Sequence, residues 1–182
     1  MGIINYGVGN TITLEKNQIE AILQKKKNQF REIINEDLDG YVFQSLVFEK
    51  FGSFSFVNTQ INSPNQAVKM VDSTFIMGEK VLVYENGENE LALRIEITGI
   101  SIQQIQNICA SDALAEGIAH TEFWQPDALN SADFEEKWWD DFHFWTHYPQ
   151  LAFANWWKSK FGEDSWNANK WVWVYRFKVA KK

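Results

Sequence analysis

Trp171-Val172-Trp173-Val174-Tyr175-Arg176-Phe177-Lys178-Val179 reads as a β-strand along its whole length. Trp171, Trp173, Tyr175, Phe177 and Val179 hold alternate places, with Val172, Val174, Arg176 and Lys178 between them. Successive side chains of a strand point to opposite faces, so one face is aromatic and the other turns from aliphatic to charged. Aromatic and β-branched side chains suit a pleated, buried surface, which makes this the clearest strand of the chain.

Further strands are legible upstream. Lys80–Glu85 is followed by Asn86-Gly87, a strong hairpin signal. Beyond that turn, Leu91, Leu93, Ile95 and Ile97 alternate with Ala92, Arg94, Glu96 and Thr98, and a further strand reaches about Ile105. Residues 41–58, rich in Val and Phe with a bend near Gly52, also read as strand, as do Phe30 to Ile34 and a short piece within residues 3–13.

Helical spacing is sparser. Leu14, Ile19, Ile22 and Leu23 share a face that starts at Thr13 and Glu15 and closes on Lys25-Lys26-Lys27. Ser63-Pro64-Asn65 predicts a short helix through Val71, and Ser111-Asp112 caps another that ends at Gly117. From Pro149 a helix carries Phe153, Trp156, Trp157 and Lys160 as far as Phe161-Gly162. Many strands with few helices, in no regular β-α-β alternation, predict an α+β fold around a curved antiparallel sheet or small barrel.

The 182 residues suit a single domain over 1–182, and 45% hydrophobic against 23% charged residues argues for a real core. No apolar run reaches the roughly 20 residues of a membrane-spanning helix. Met1-Gly2-Ile3-Ile4-Asn5 does not resemble a secretory signal, so a cytoplasmic protein with no membrane partner is expected. Cys109, the one cysteine, excludes an internal disulfide and a multi-thiolate metal site.

All nine tryptophans lie between Trp124 and Trp173, and residues 122–148 hold seven acids against Lys137 alone. The net charge of −7 therefore sits almost wholly in that stretch, which argues against a generally basic nucleic-acid binder. The acidic, Trp-rich segment at about 119–148 stands apart in composition as an insertion. Trp124, Trp138, Trp139 and Trp145 would make it a cover over the barrel or a surface for a partner protein.

Five segments in order resemble ASCH domains of the PUA-like superfamily, in the version found in bacteriophage genomes. They are Ala21-Ile22-Leu23-Gln24-Lys25-Lys26-Lys27-Asn28-Gln29-Phe30-Arg31, Gly78 to Glu85, Asp112-Ala113-Leu114-Ala115-Glu116-Gly117-Ile118, Phe153 to Gly162, and Trp166 to Val174. They fall in register within residues 14–179; Lys170 stands where the family usually has proline. The resemblance implies a PUA-like small β-barrel with flanking helices and a cleft for RNA or a nucleoside-related ligand, with no cofactor.

It also implies a site at Lys27, with Arg31 nearby, and Glu116. A lysine beside a carboxylate in a partly dry cleft can be shifted in pKa and used for proton transfer, which makes Lys27 and Glu116 the candidate catalytic pair. Arg31, with its forked donors, would clamp a phosphate or carbonyl oxygen. Alternatively, Lys25–Lys27 is a solvated helix end and Glu116 only precedes a capping glycine.

Some relatives deacetylate acetylated cytidine and others are linked to RNA cleavage. The deacetylase-like pattern has threonine three places after the lysine, where this chain has Phe30. Phe30 offers no nucleophile; it either stacks on a base or fills the core. Three functions follow: binding of RNA or a modified nucleoside, hydrolysis of a modified nucleobase or of RNA, and a phage accessory role on a host protein through the insertion. His143 and His147 are spaced to share a helix face but lack a third ligand, so no metal is expected. His120, just beyond Glu116-Gly117, is either an accessory acid or base or a surface residue.

Overall fold

The computed structural model describes residues 10–48, 52–58, 68–124 and 141–181. Five strands, β1 (Thr11–Leu14), β2 (Gln29–Ile33), β6 (Lys80–Glu85), β7 (Leu91–Gln104) and β8 (Trp171–Val179), form one sheet in the order β1-β6-β7-β8-β2. Strands β3 (Tyr41–Phe48), β4 (Ser53–Asn58) and β5 (Val68–Asp72) form a second sheet in chain order. Helices α1 (Lys16–Leu23), α2 (Ala110–Ala115), α3 (Asp141–Phe161) and α4 (Glu163–Asn167) flank them. The class is α+β, with the larger sheet curled into a half-barrel. Among the described residues no helix is long and apolar enough to cross a membrane.

The alternation of β8 separates two cores. Its aromatic face, with Trp173, Tyr175 and Phe177, joins Phe30, Phe75 and the inner face of the small sheet. Phe54 meets Trp173 with ring centroids 5.1 Å apart, and Phe56 meets Trp171 at 5.3 Å, so these edge-on aromatic contacts hold sheet to sheet. Val172 and Val174 face the other way, onto Ile105, Ile118, Phe153 and Trp157. One strand is thus buried on both sides, a barrel core on one and a helical core on the other.

Four expectations change. The sheet is mixed, because β1 runs parallel to β6; alternation tells which face a residue takes but not the direction of its neighbour. Residues 68–71, expected at the end of a helix, lie in β5, where pairing with β4 from Val57↔Val68 to Ser53↔Asp72 overrides the local signal; residues 63–67 lie outside those described. The two strands expected between Leu91 and Ile105 are one strand, β7, of 14 residues, with a register shift between Ile97 and Gly99. Pro149 lies inside α3 instead of opening it. The helical bond that proline forfeits is outweighed by Tyr148, Ala152, Phe153 and Trp157, all buried in the helical core.

Helix α3, described over Asp141–Phe161, therefore extends into the stretch that composition sets apart. Trp138 and Trp139 lie outside the described residues, and with them most of the acidic segment. Trp124, at its near end, packs on Tyr148 with centroids 5.0 Å apart. The histidine pair His143 and His147 falls in the first half of α3.

Candidate functional site

The end of α1 delivers Lys27. Lys25 is left-handed, with φ 60°, and the N–H groups of Lys25 and Lys26 donate to the carbonyls of Ile22 and Ala21 at 2.9 and 2.8 Å. This is a Schellman closure with lysine where glycine is usual. It turns the chain so that Lys25 and Lys26 stay in water while Lys27 points inward, only 3% exposed. β2 follows, and its two-residue period carries Lys27, Gln29 and Arg31 along one side, with Phe30 on the other.

Glu116 arrives from the opposite side as the C-cap of α2. Gly117, with φ 81°, makes the reversal after it. A Cβ at Gly117 would stand 3.1 Å from Cβ of Lys27, so the close approach needs glycine for space as well as for conformation.

The Lys27 ammonium donates to the carbonyl of Gln29 at 2.9 Å, to the carbonyl of Glu116 at 2.7 Å and to its Oε2 at 3.4 Å. Those three acceptors use the full donor capacity of an ammonium. Burial lowers the pKa of Lys27, and the Glu116 carboxylate pulls it back up in part. Arg31 donates through Nη1 to Glu116 Oε1 at 2.5 Å and through Nη2 to Asp112 Oδ2 at 3.3 Å. With their amides oriented by hydrogen bonding, Gln29 and Gln103 also turn oxygens toward the guanidinium, which lies 5.5 Å from the Phe153 ring centre.

Lys27 and Glu116, 89 residues apart, therefore meet, and the reading of Lys27 as a solvated helix end is overturned. Two further expectations need correction. Arg31 is not a ligand clamp, since its donors are held by Glu116, Asp112, Gln29 and Gln103. It orients Glu116 instead. Phe30 is not a stacking platform: it is 2% exposed and lies against Phe75, Tyr175 and Phe177 with centroids 4.9 to 5.9 Å away. No base can reach its face.

Glu116 is 7% exposed. It borders a recess with Gln18, Ile118, Thr121, Phe153 and Trp156 that has no room for a water molecule. Gln18, Thr121 and Trp156 also line an open pocket of about 440 Å³ between α1, residues 121–123 and the end of α3. Lys160 and Glu15 close its rim with a 2.8 Å bridge; burial pushes the Glu15 pKa up, and the Lys160 hydrogen bond and charge contribute to bringing it below the usual value. A second pocket, of about 540 Å³ between the 34–41 loop and residues 168–171, shares no residue with it.

Sequence reasoning missed Asn17, Gln18 and Thr121, polar residues on loops and helix faces with no motif to mark them. Gln29 and Gln103 were missed too, although the alternation Lys27, Gln29, Arg31 was a usable signal for a buried polar row.

No protein-family model and no curated protein matches the chain. Two solved structures are similar to it. One is the ASCH domain from Lactobacillus crispatus JV V101, at 15% identity and a TM-score of 0.42, covering 89% of this chain and 69% of that one. The other is a protein from Enterococcus faecalis V583 described by a DUF984 family model, at 8% identity and a TM-score of 0.44, covering 97% of this chain and 82% of that one.

Proposed function

We propose that this chain is a binding domain of the ASCH, PUA-like kind, whose pocket between α1, residues 121–123 and α3 takes a nucleobase, as a nucleoside or as an unstacked base of RNA. The observation that carries the reading is the Glu116 carboxylate, fixed by Lys27 and Arg31 in a recess that adjoins that pocket and shares Gln18, Thr121 and Trp156 with it. A carboxylate held in this way is a rigid acceptor for the N–H edge of a heterocycle. The pocket volume falls within the range of small-molecule sites and is far too small for a duplex.

Trp156 lines both the pocket and the recess that Glu116 borders. In this reading its indole moves to admit the base and then stacks on it. Binding is favoured over hydrolysis because the Lys27 ammonium has no donor left for a substrate and Phe30, where a hydroxyl would be needed, is sealed in the core.

Titration of the full chain with the four ribonucleosides and with short single-stranded RNAs, followed by tryptophan fluorescence and calorimetry, tests this. Saturable binding that weakens in Glu116→Gln, which keeps an acceptor but loses its charge, is expected. Absence of binding at millimolar concentration, or binding indifferent to Glu116→Gln, would remove the proposal.

A further inference from the structure

Trp156 and Lys160 both line the open pocket. They stand four residues apart on α3, so they share a helix face with about 6 Å between them along its axis. An aromatic ring and an ammonium thus occupy neighbouring turns of one wall. A nucleotide, with its base and its phosphate on either side of the sugar, can bridge such a pair.

Among the described residues that line the pocket, Lys160 is the one cation. Its ammonium makes a single hydrogen bond among those residues, to Glu15 Oε1 at 2.8 Å. An ammonium has three donors, so two remain for an anion that enters the pocket. The side chains of Lys160 and Glu15 are 16% and 27% exposed, so their bridge stands at the edge of solvent, open to an incoming oxygen. Lys27 and Arg31, in contrast, are buried and spend their donors on Glu116, Asp112, the Gln29 carbonyl and the two glutamine amides. An anion contact in this pocket therefore falls to Lys160.

The lining also holds Glu15 and Glu122, which oppose a further negative charge. A phosphate gains less there than in a wholly basic site, and it competes with Glu15 for the same ammonium. Lysine binds phosphate as a point charge, so such an exchange of one oxygen partner for another needs no fixed geometry.

We infer that Lys160 is the phosphate contact of the pocket, and that the ligand is a nucleotide unit with its base toward Trp156 and Glu15 as its internal competitor. This rests on the reading that the pocket takes a nucleobase, and adds to it the charged half of the ligand. A free mononucleotide and a single strand of RNA present the same phosphate chemistry.

Calorimetric titration of the full chain compares adenosine and cytidine with their 5′-monophosphates and with the dinucleotides ApA and CpC, and is repeated on Lys160→Met, Lys160→Arg and Glu15→Gln. A phosphate-bearing ligand should bind about fivefold more tightly than its nucleoside, the upper end for partly exposed charges. That gain should vanish in Lys160→Met, persist in Lys160→Arg, grow in Glu15→Gln and shrink as salt is raised. The nucleosides themselves should bind all four proteins alike. A gain confined to the monophosphates identifies a free nucleotide, one confined to the dinucleotides an RNA strand, and one common to both the shared phosphate; each supports the inference. Nucleosides that bind at least as tightly as both phosphate-bearing classes, or a gain that survives in Lys160→Met, would overturn it and leave the nucleobase pocket standing. If no compound binds, both readings fail. Should Lys160→Met not fold, a gain unchanged in Glu15→Gln overturns the inference instead.

Discussion

The ammonium of Lys27 binds both the main-chain carbonyl of Glu116, at 2.7 Å, and the carboxylate of the same residue, at 3.4 Å. One side chain thereby caps the end of α2 and neutralises the acid that stands there, where an unpaired carboxylate would oppose the helix dipole. It also ties the turn after α1 to the turn after α2.

That tie depends on Gly117. Gly117→Ala places a Cβ 3.1 Å from the Lys27 stem on a residue at φ 81°. A loss of about 2 kcal/mol is expected, from left-handed backbone strain and crowding together. Chemical denaturation measures it; an unchanged midpoint would mean that the two turns are not locked.

Removing Glu116 should cost more than altering it. Glu116→Ala leaves Lys27 and Arg31 facing each other in a buried place, for which about 3–5 kcal/mol is typical. Glu116→Gln keeps an acceptor and should cost clearly less. The double variant Lys27→Met with Glu116→Gln should recover part of the loss of Glu116→Ala. Equal losses in all three would argue that the charges are of no consequence.

The lowered pKa of Lys27 has a definite sign. Burial disfavours the ammonium, so between its folded-state pKa and the ordinary 10.5 the unfolded chain binds more protons than the folded one. Stability therefore gains from Lys27 as pH rises through that window, and the gain is lost as pH falls through the folded-state value. Tyr175 works in the opposite direction, because burial raises its pKa and the unfolded tyrosine ionises first, above about pH 10. Denaturation midpoints should be compared between pH 8 and about 9.5, before tyrosine ionises. Lys27→Met should flatten the rise, and an identical slope in both proteins would contradict the assignment.

Lys25 holds a left-handed backbone, φ 60°, on an exposed turn. Lys25→Gly should stabilise the fold by about 1 kcal/mol, because glycine takes that conformation without steric cost. A rise of a few degrees in Tm would register it, whereas a fall would place the strain elsewhere.

Most of the barrel was readable from the chain because strand alternation is local chemistry. Trp171 to Val179 assigns aromatic and aliphatic faces with no knowledge of what covers either. The same reasoning failed at Val68–Asp72, where a sheet partner decides the conformation, and at Pro149, where packing further along the helix overrides the local break. Lys27 and Glu116 were legible as a pair only through a resemblance in segment order, since nothing in their spacing joins them.

The chain by itself determined most of the strands of the larger sheet, which face of each is apolar, and where turns such as Gly117 become necessary, since φ/ψ preference and side-chain polarity travel with the residue. Only the tertiary structure decided that Arg31 supports Glu116 instead of a ligand, that Phe30 is core, and that Lys160 meets Glu15 at the rim of a pocket. Those are facts of burial and hydrogen-bond supply, and both are set by whatever the fold brings alongside.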